Sequence, residues 1–243
     1  MNTRIEGQRA LIVGASSGMG RATAKALALA GAKVVAAARN EAALQSLCAE
    51  LNAEGADASY VTVDVQDRDQ VAALFDQAVS TLGGLDLVVF AAGTNTPKRA
   101  VEELSTDDWH ALLETNLTGA FHTLQESVSI MLPKGSGTII FISSVSAKRG
   151  DKSGIAYQAS KHGMDGLVWG AHEELKGTNL RFSVIYPGLC DTPLVDKRPV
   201  PPSAEDREKA LRPEDIADAC LYIASSPPHV NIKEIVIDTT HPF

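Results

Sequence analysis

Seven short runs rich in Val, Ile, Ala and Phe recur along the chain, at 10–13, 33–37, 60–63, 86–90, 138–142, 181–185 and 234–237. Apolar residues follow one another in them without the in-and-out alternation of a half-exposed strand, the pattern of strands covered on both faces in a parallel sheet. The intervening stretches 18–30, 41–54, 68–82, 106–132, 157–176 and 213–224 return apolar residues every three or four positions, which predicts amphipathic helices. Strand and helix taken in turn imply right-handed crossovers and an α/β, three-layer, doubly wound sheet of Rossmann type. In that architecture ligands lie beyond the carboxyl ends of the strands. The residues that follow each strand are therefore where chemistry is expected.

Composition narrows the picture without changing it. The 243 residues carry no low-complexity tract and no repeat, and Pro and Gly are scattered singly, so one domain over 1–243 is expected. A net charge of −8 argues against a nucleic-acid partner, because such binding draws on Lys and Arg neutralising phosphates. The first fourteen residues hold only the apolar run 10–13, and no eighteen consecutive residues are apolar, so no membrane association and a soluble cytoplasmic protein are expected. Cys48, Cys190 and Cys220 have no metal-ligand spacing, which predicts free thiols and no metal.

After the first strand comes Gly14-Ala15-Ser16-Ser17-Gly18-Met19-Gly20, running straight into a helix. Glycines let such a turn close and bring backbone N–H groups, with the positive end of the helix, up to a pyrophosphate. The spacing is G-x-x-x-G-x-G, unlike the commoner G-x-G-x-x-G, and a glycine turn by itself can close without any ligand. Its place at the first crossover favours a dinucleotide. The second strand ends in Arg39-Asn40, with no acidic residue to hold a ribose 2′-hydroxyl. Arg39 suits a 2′-phosphate instead, favouring NADP(H) over NAD(H). Asp64, taken to close the third strand just before Val65, either accepts a hydrogen bond from an adenine amino group or caps the next helix.

Tyr157 and Lys161 stand four apart at the start of a predicted helix and so share one face. A cation beside a phenol favours the phenolate, so the Tyr157 pKa is expected to fall towards the range a general acid/base needs. Such pairs are common on helices and acquire meaning only in context. Ser144 supplies it, at the carboxyl end of the fifth strand and thirteen positions before Tyr157, where its hydroxyl can meet a substrate oxygen. Asn116 lies inside the predicted helix 106–132, where Asn is a poor helix former; it can loosen a turn there and hold a water leading to Lys161.

Taken together, Gly14, Gly18, Gly20, Asn116, Ser144, Tyr157 and Lys161 resemble the glycine motif and Asn-Ser-Tyr-Lys tetrad of the short-chain dehydrogenase/reductase family, over nearly the whole chain. The resemblance implies a seven-stranded parallel sheet and a homo-oligomer, dimer or tetramer, packed through helices 106–132 and 157–176. It implies that Tyr157 transfers the proton, Ser144 polarises the substrate oxygen, Lys161 lowers the tyrosine pKa and holds the ribose, and Asn116 completes a proton relay. Pro187-Gly188 also matches, which implies that Leu189 and Thr192 reach the nicotinamide amide, and Ala91-Ala92-Gly93 matches a family turn in part. Val13, Phe90-Ala91 and Asp238-Thr239-Thr240 depart from the family's usual Thr, Asn-Asn and Asp-Gly-Gly.

The implied activity is that of an NADP(H)-dependent oxidoreductase moving hydride to or from a small carbonyl or alcohol, in the alcohol dehydrogenase and carbonyl reductase class. A non-catalytic NADP-binding sensor on the same fold is the alternative. Substrate choice is expected from the proline-rich excursion at about 189–211, with Leu189, Leu194 and Ser146 at the pocket, Thr94, Asn95 and Ala147 near it, and Lys148-Arg149 as an attraction for a carboxylate.

Overall fold

The computed structural model describes residues 5–240. Seven strands form one parallel sheet: β1 (Arg9–Val13), β2 (Lys33–Ala38), β3 (Asp57–Thr62), β4 (Leu87–Phe90), β5 (Gly137–Ile142), β6 (Leu180–Pro187) and β7 (Glu234–Ile237). Their order is β3-β2-β1-β4-β5-β6-β7, so the chain reverses its winding between β1 and β4 and opens a crevice there. Both faces of the sheet are covered. On one side Ile12, Ile140 and Ile185 pack with Leu27, Leu44 and Ile216 of α1 (Gly18–Leu29), α2 (Glu41–Ala53) and α8 (Pro213–Ala224). On the other Leu11, Val13, Phe90 and Phe141 meet Phe75 and Met164 of α3 (Arg68–Leu82) and α6 (Ile155–Glu174). Each strand therefore alternates between two apolar layers, which is why the sequence shows unbroken apolar runs. Phe90 and Phe141 are fully buried with ring centroids 5.9 Å apart. Truncating either to Ala costs about 3–5 kcal/mol.

The predicted helix 106–132 is interrupted. It forms as α4 (Thr106–Leu113), a π-helical turn at Glu114–Thr118, and α5 (Gly119–Lys134). Asn116 sits in the π turn, where the loosened backbone aims its side chain inward and leaves it fully buried. Gly119 then lets α5 press on Val65, since a Cβ there would lie 2.8 Å from the valine Cγ2. The other boundaries differ by a few residues. The third strand runs Asp57–Thr62 rather than 60–63, and the helix bearing Tyr157 starts two residues earlier, at Ile155.

Asp64 lies beyond β3 and does not cap α3. That cap is Asp67, whose carboxylate accepts the N–H groups of Asp69 and Gln70. Asp67 stands immediately before the helix, where its carboxylate reaches the unpaired amides. The excursion after β6 is ordered by a 3₁₀ turn at Pro193–Lys197 and by α7 (Ala204–Lys209), whose first turn carries a Ser203/Asp206 capping box. Its return is pinned where the Leu211 N–H donates to the Leu189 carbonyl at 2.9 Å.

At the amino ends of the central strands β1 and β4, Arg9 grips Asp86 with Nε and Nη2, both at 2.8 Å, and Lys134 Nζ reaches the same carboxylate at 2.5 Å. The Asp86 carboxyl is half-buried; burial alone would raise its pKa, but the two cations hold it well below the ordinary range. No helix among the described residues is long and apolar enough to cross a membrane.

Candidate active site

The turn after β1 comes close enough to the next strand to need glycine. Gly14 has φ +94°, and a Cβ on it would lie 2.5 Å from the Ala92 nitrogen, while one on Gly20 would overlap the Gly14 carbonyl. The turn therefore lies directly on the segment after β4, and α1 starts at Gly18, so the residues that carry its unpaired first amides line the crevice. The crevice is lined by Gly14, Ser16, Ser17, Gly18, Met19 and Gly20 of this turn, by Arg39 and Asn40 after β2, and by Val65. Ala91, Ala92 and Gly93 line it after β4, and Thr192 and Leu194 line it from the excursion. Tyr157 and Lys161 close the far end.

Arg39 is largely exposed, with Asp64 3.8 Å away. The Asp64 carboxylate accepts the Gln66 N–H at 3.1 Å and stands outside the cleft lining. Pro187, Gly188 and Leu189 also stand outside it. A Cβ on Gly188 would overlap the Asp238 carboxylate, so this pair serves the packing of the β6 end against the segment after β7. Lys148 and Arg149 are engaged elsewhere. Lys148 lies over the Tyr186 ring, 3.0 Å from Glu234 and 3.4 Å from Asp165, and Arg149 meets Asp238 at 3.1 Å. A cation so paired has little attraction left for a substrate carboxylate.

At the far end four segments converge. Asn116 Oδ1 accepts the Thr94 N–H at 2.8 Å, and Nδ2 donates to the Thr94 carbonyl and to Ser160 Oγ, each at 3.0 Å. The Asn116 amide thus clasps the strand-end backbone to α6, with its bonds made to protein. Lys161 is buried, its Nζ donating to the Ile142 carbonyl at 3.0 Å and lying 5.7 Å from the Tyr157 ring centroid. Nζ and Asn116 Oδ1 both come within 4 Å of where a Cβ on Gly93 would stand. Ser144 is buried, and its Oγ accepts the Ser146 N–H at 3.1 Å.

The expected fall of the Tyr157 pKa is not found. Burial of the phenol pushes it above its ordinary value and outweighs the Ser144 hydroxyl that lowers it; Asp151 raises it further, and Arg198 and Arg99 lower it. Burial also brings Lys161 down to about 8, against the opposing pull of Asp165. A lysine brought down that far gives up its charge before the phenol ionises, and so gives the phenolate less help than a fully charged ammonium would.

Several residues here went unnoticed in the sequence. Ser143 lines the cleft with a buried hydroxyl that has no partner among the described residues. Asp151 and Ser153 bond to one another and to Ser146. Arg99 is buried, donating to the carbonyls of Thr96 at 2.9 Å and Lys197 at 2.7 Å. The adjoining Ser143-Ser144 pair gave some signal for the first; nothing in local sequence marks the others.

Residues 8–201 match the family model described as short chain dehydrogenase. The chain belongs to that family. It is an oxidoreductase by that membership, and its relatives agree. An uncharacterized oxidoreductase of Staphylococcus aureus (strain MW2) is 35% identical over 94% of this chain and 95% of its own length. One from Staphylococcus haemolyticus is 32% identical over 97% and 98%. Among solved structures, a metagenomic short-chain oxidoreductase in complex with NADP superposes with TM-score 0.84 at 30% identity, covering 98% of this chain and all of that one. An alcohol dehydrogenase from the archaeon Thermococcus sibiricus, complexed with 5-hydroxy-NADP, gives 0.85 at 30% identity, over 95% of each chain. A point variant of actinorhodin polyketide ketoreductase with NADPH gives 0.88 at 29% identity, over 98% of each chain. The seven-stranded doubly wound fold expected for this short chain dehydrogenase is thus the one it shares with its structural neighbours.

Proposed function

We propose that this chain is an NADP(H)-dependent oxidoreductase of the alcohol dehydrogenase and carbonyl reductase class, with Tyr157 as general acid/base. One observation carries the reading: Tyr157 and Lys161 line the same cleft as the glycine turn, with Ser144 against the Tyr157 hydroxyl and Asn116 bonded to Ser160 of the same helix. The residues present fit a nicotinamide dinucleotide. Gly14 and Gly20 let the turn close on itself and on the segment after β4, so that Gly18 and Met19 at the start of α1 line the cleft, and Ser143 brings to it a hydroxyl with no partner among the described residues. Bound there, the nicotinamide supplies or accepts a hydride.

In reduction, Ser144 hydrogen-bonds the carbonyl oxygen and Tyr157 delivers the proton to it as the alcohol forms; in oxidation the proton runs back to the phenolate. Burial favours the acid form of Tyr157, the form from which a proton is given in reduction. Lys161 holds the ribose hydroxyls and steadies the phenolate. Asn116, by clasping Thr94 and Ser160, fixes the segment after β4 against α6 and completes the proton relay. Arg39 selects the 2′-phosphate, which supports NADP(H), as do the three neighbours that carry NADP, NADPH or a derivative. Thr192 and Leu194 line the cleft, which supports the 189–211 segment of this single-domain chain as the cover over the substrate.

The protein acts in the cytoplasm as a homo-oligomer, dimer or tetramer. Supporting this, the groove between α5 and α6 is lined by Phe121, Leu124, Val128 and Leu167 and by Gly166 and Gly170, and Phe121 is 44% exposed. Small residues beside a bare aromatic let a second copy of the same helices approach.

Titration of the purified protein with NADPH and NADH, followed by a panel of small ketones, aldehydes and alcohols read at the nicotinamide absorbance, tests the reading. Tighter binding of NADPH with turnover on a panel member is the expected result. Binding of neither cofactor would overturn it.

A further inference from the structure

Two arginines from different loops come together near Tyr157. Arg99, after β4, is buried, and its guanidinium donates to the carbonyls of Thr96 at 2.9 Å and Lys197 at 2.7 Å and reaches towards that of Ser153 at 3.5 Å. The bond to Lys197 brings Arg99 to the residue before Arg198, which ends the 3₁₀ turn whose Pro193 and Leu194 line the cleft. Burial lowers the Arg99 pKa and the charge of Arg198 lowers it further, with Tyr157 and Asp151 pulling the other way. Arg198 also opposes the effect of burial on the Tyr157 phenol and on the Asp151 carboxyl. It is therefore close to all three groups.

A guanidinium drawn out of water is ordinarily joined to a carboxylate, which matches its planar fork. Neither arginine has one. Among the described residues no carboxylate oxygen lies within 4 Å of Arg99 or Arg198, and the Arg198 side chain makes no hydrogen bond. The acids at hand are engaged elsewhere. Asp151 accepts Ser146 Oγ at 2.5 Å and the Ser153 N–H at 2.8 Å, while Arg207 of α7 holds Asp191 at 2.9 Å and Asp196 as well. Lys197 adds a third cation at the lip, its Nζ donating to Thr94 Oγ1 at 2.8 Å. Beside the phenol the cations thus outnumber the anions.

We propose that the substrate is a keto acid, or the corresponding hydroxy acid, whose carboxylate is held by Arg198 and Arg99 while its carbonyl lies against Tyr157. The inference rests on the oxidoreductase reading of the same site and names its substrate class. In reduction the carbonyl carbon gains a hydride taken from NADPH and its oxygen gains the Tyr157 proton, so the hydroxy acid leaves with its carboxylate unchanged. Lys148 and Arg149, paired with Asp165, Glu234 and Asp238, have no part in this.

The test compares 2-oxopentanoate, acetoacetate and 4-oxopentanoate, each with its methyl ester, which keeps the carbonyl and removes the charge. An acid is expected to be reduced with a KM about ten- to a hundredfold below that of its ester, and Arg198→Met should raise that KM by a similar factor while leaving the ester's unchanged. Arg198 has no partner to lose, so the variant keeps the fold. Arg149→Met removes the same charge elsewhere and should keep the wild-type acid-to-ester ratio. Calorimetric binding of each pair in the presence of NADP+, where a keto acid cannot be turned over, should follow the same order. Equal handling of every acid and its ester by the wild type, or an Arg198→Met protein with the wild-type ratio, would overturn the proposal. Reduction of the esters without any preference for an acid would remove the carboxylate site and leave the oxidoreductase standing. Binding of an acid that is lost in Arg198→Met, from a protein that reduces nothing, would do the reverse.

Discussion

Gly14, Gly18 and Gly20 lie within seven consecutive residues and make their end of the cleft from backbone, whereas Asn116, Ser144 and Tyr157 reach the other end from a π turn, a strand end and a helix far apart in the chain. The glycine end depends on what is missing, side chains that would collide with neighbouring backbone. The catalytic end depends on what is present, a set of polar groups satisfied by one another at 2.5–3.2 Å. The first tolerates no added atom; the second tolerates no lost hydrogen bond. The difference teaches that cofactor affinity and chemical rate can be broken separately.

The largest effect is expected at the catalytic end. Tyr157→Phe removes the proton donor and little volume, so turnover should drop about 10²- to 10⁴-fold with NADPH affinity kept, as steady-state kinetics and a binding titration would show. A Phe variant with wild-type turnover would remove Tyr157 from the mechanism. Gly14→Ala is the matching break at the other end. Its methyl group meets the Ala92 backbone at an unfavourable φ, so stability should fall by about 3 kcal/mol and NADPH binding should go with it. Denaturant unfolding and the same titration measure both.

The Asp86 cluster, at the amino ends of the central strands and away from the cleft, serves as a control on the comparison. Asp86→Asn should cost about 2 kcal/mol at pH 7 without altering NADPH affinity. Because the folded pKa of Asp86 is depressed, its contribution is present above the ordinary carboxylate range and is lost as pH falls through the folded value. Wild type and variant should therefore converge in strong acid, which unfolding curves at several pH values will reveal. The smallest effect belongs to exposed Arg39. Arg39→Asp should cut the NADPH-to-NADH efficiency ratio by about tenfold, with the fold untouched.

Local regularity decided what could be read in advance. The strand runs were visible because burial on both faces leaves a continuous apolar signature, and the glycine turn because its constraint is local. Tyr157 and Lys161 were visible because four residues is one helical turn. The break in helix 106–132 was hinted at by Asn116 but not located, since a π turn has no composition of its own. Asp64 was misread as strand end and as a cap candidate because Asp67, three residues on, makes the same local pattern and happens to sit at the helix. Lys148 and Arg149 looked free because their partners Asp165, Glu234 and Asp238 are remote in the chain.

The sequence by itself determined the doubly wound sheet, the crevice at the first crossover and the residue types at its two ends, since periodicity and short-range turns are properties of neighbours along the chain. Only the tertiary structure decided that Asn116 clasps Thr94 and Ser160, that Asp151 and Ser146 stand behind Ser144, and that Tyr157 holds its proton more tightly than an ordinary phenol. Those outcomes depend on burial and on charges brought together from distant segments, and burial is a property of the packed molecule, not of any stretch of its sequence.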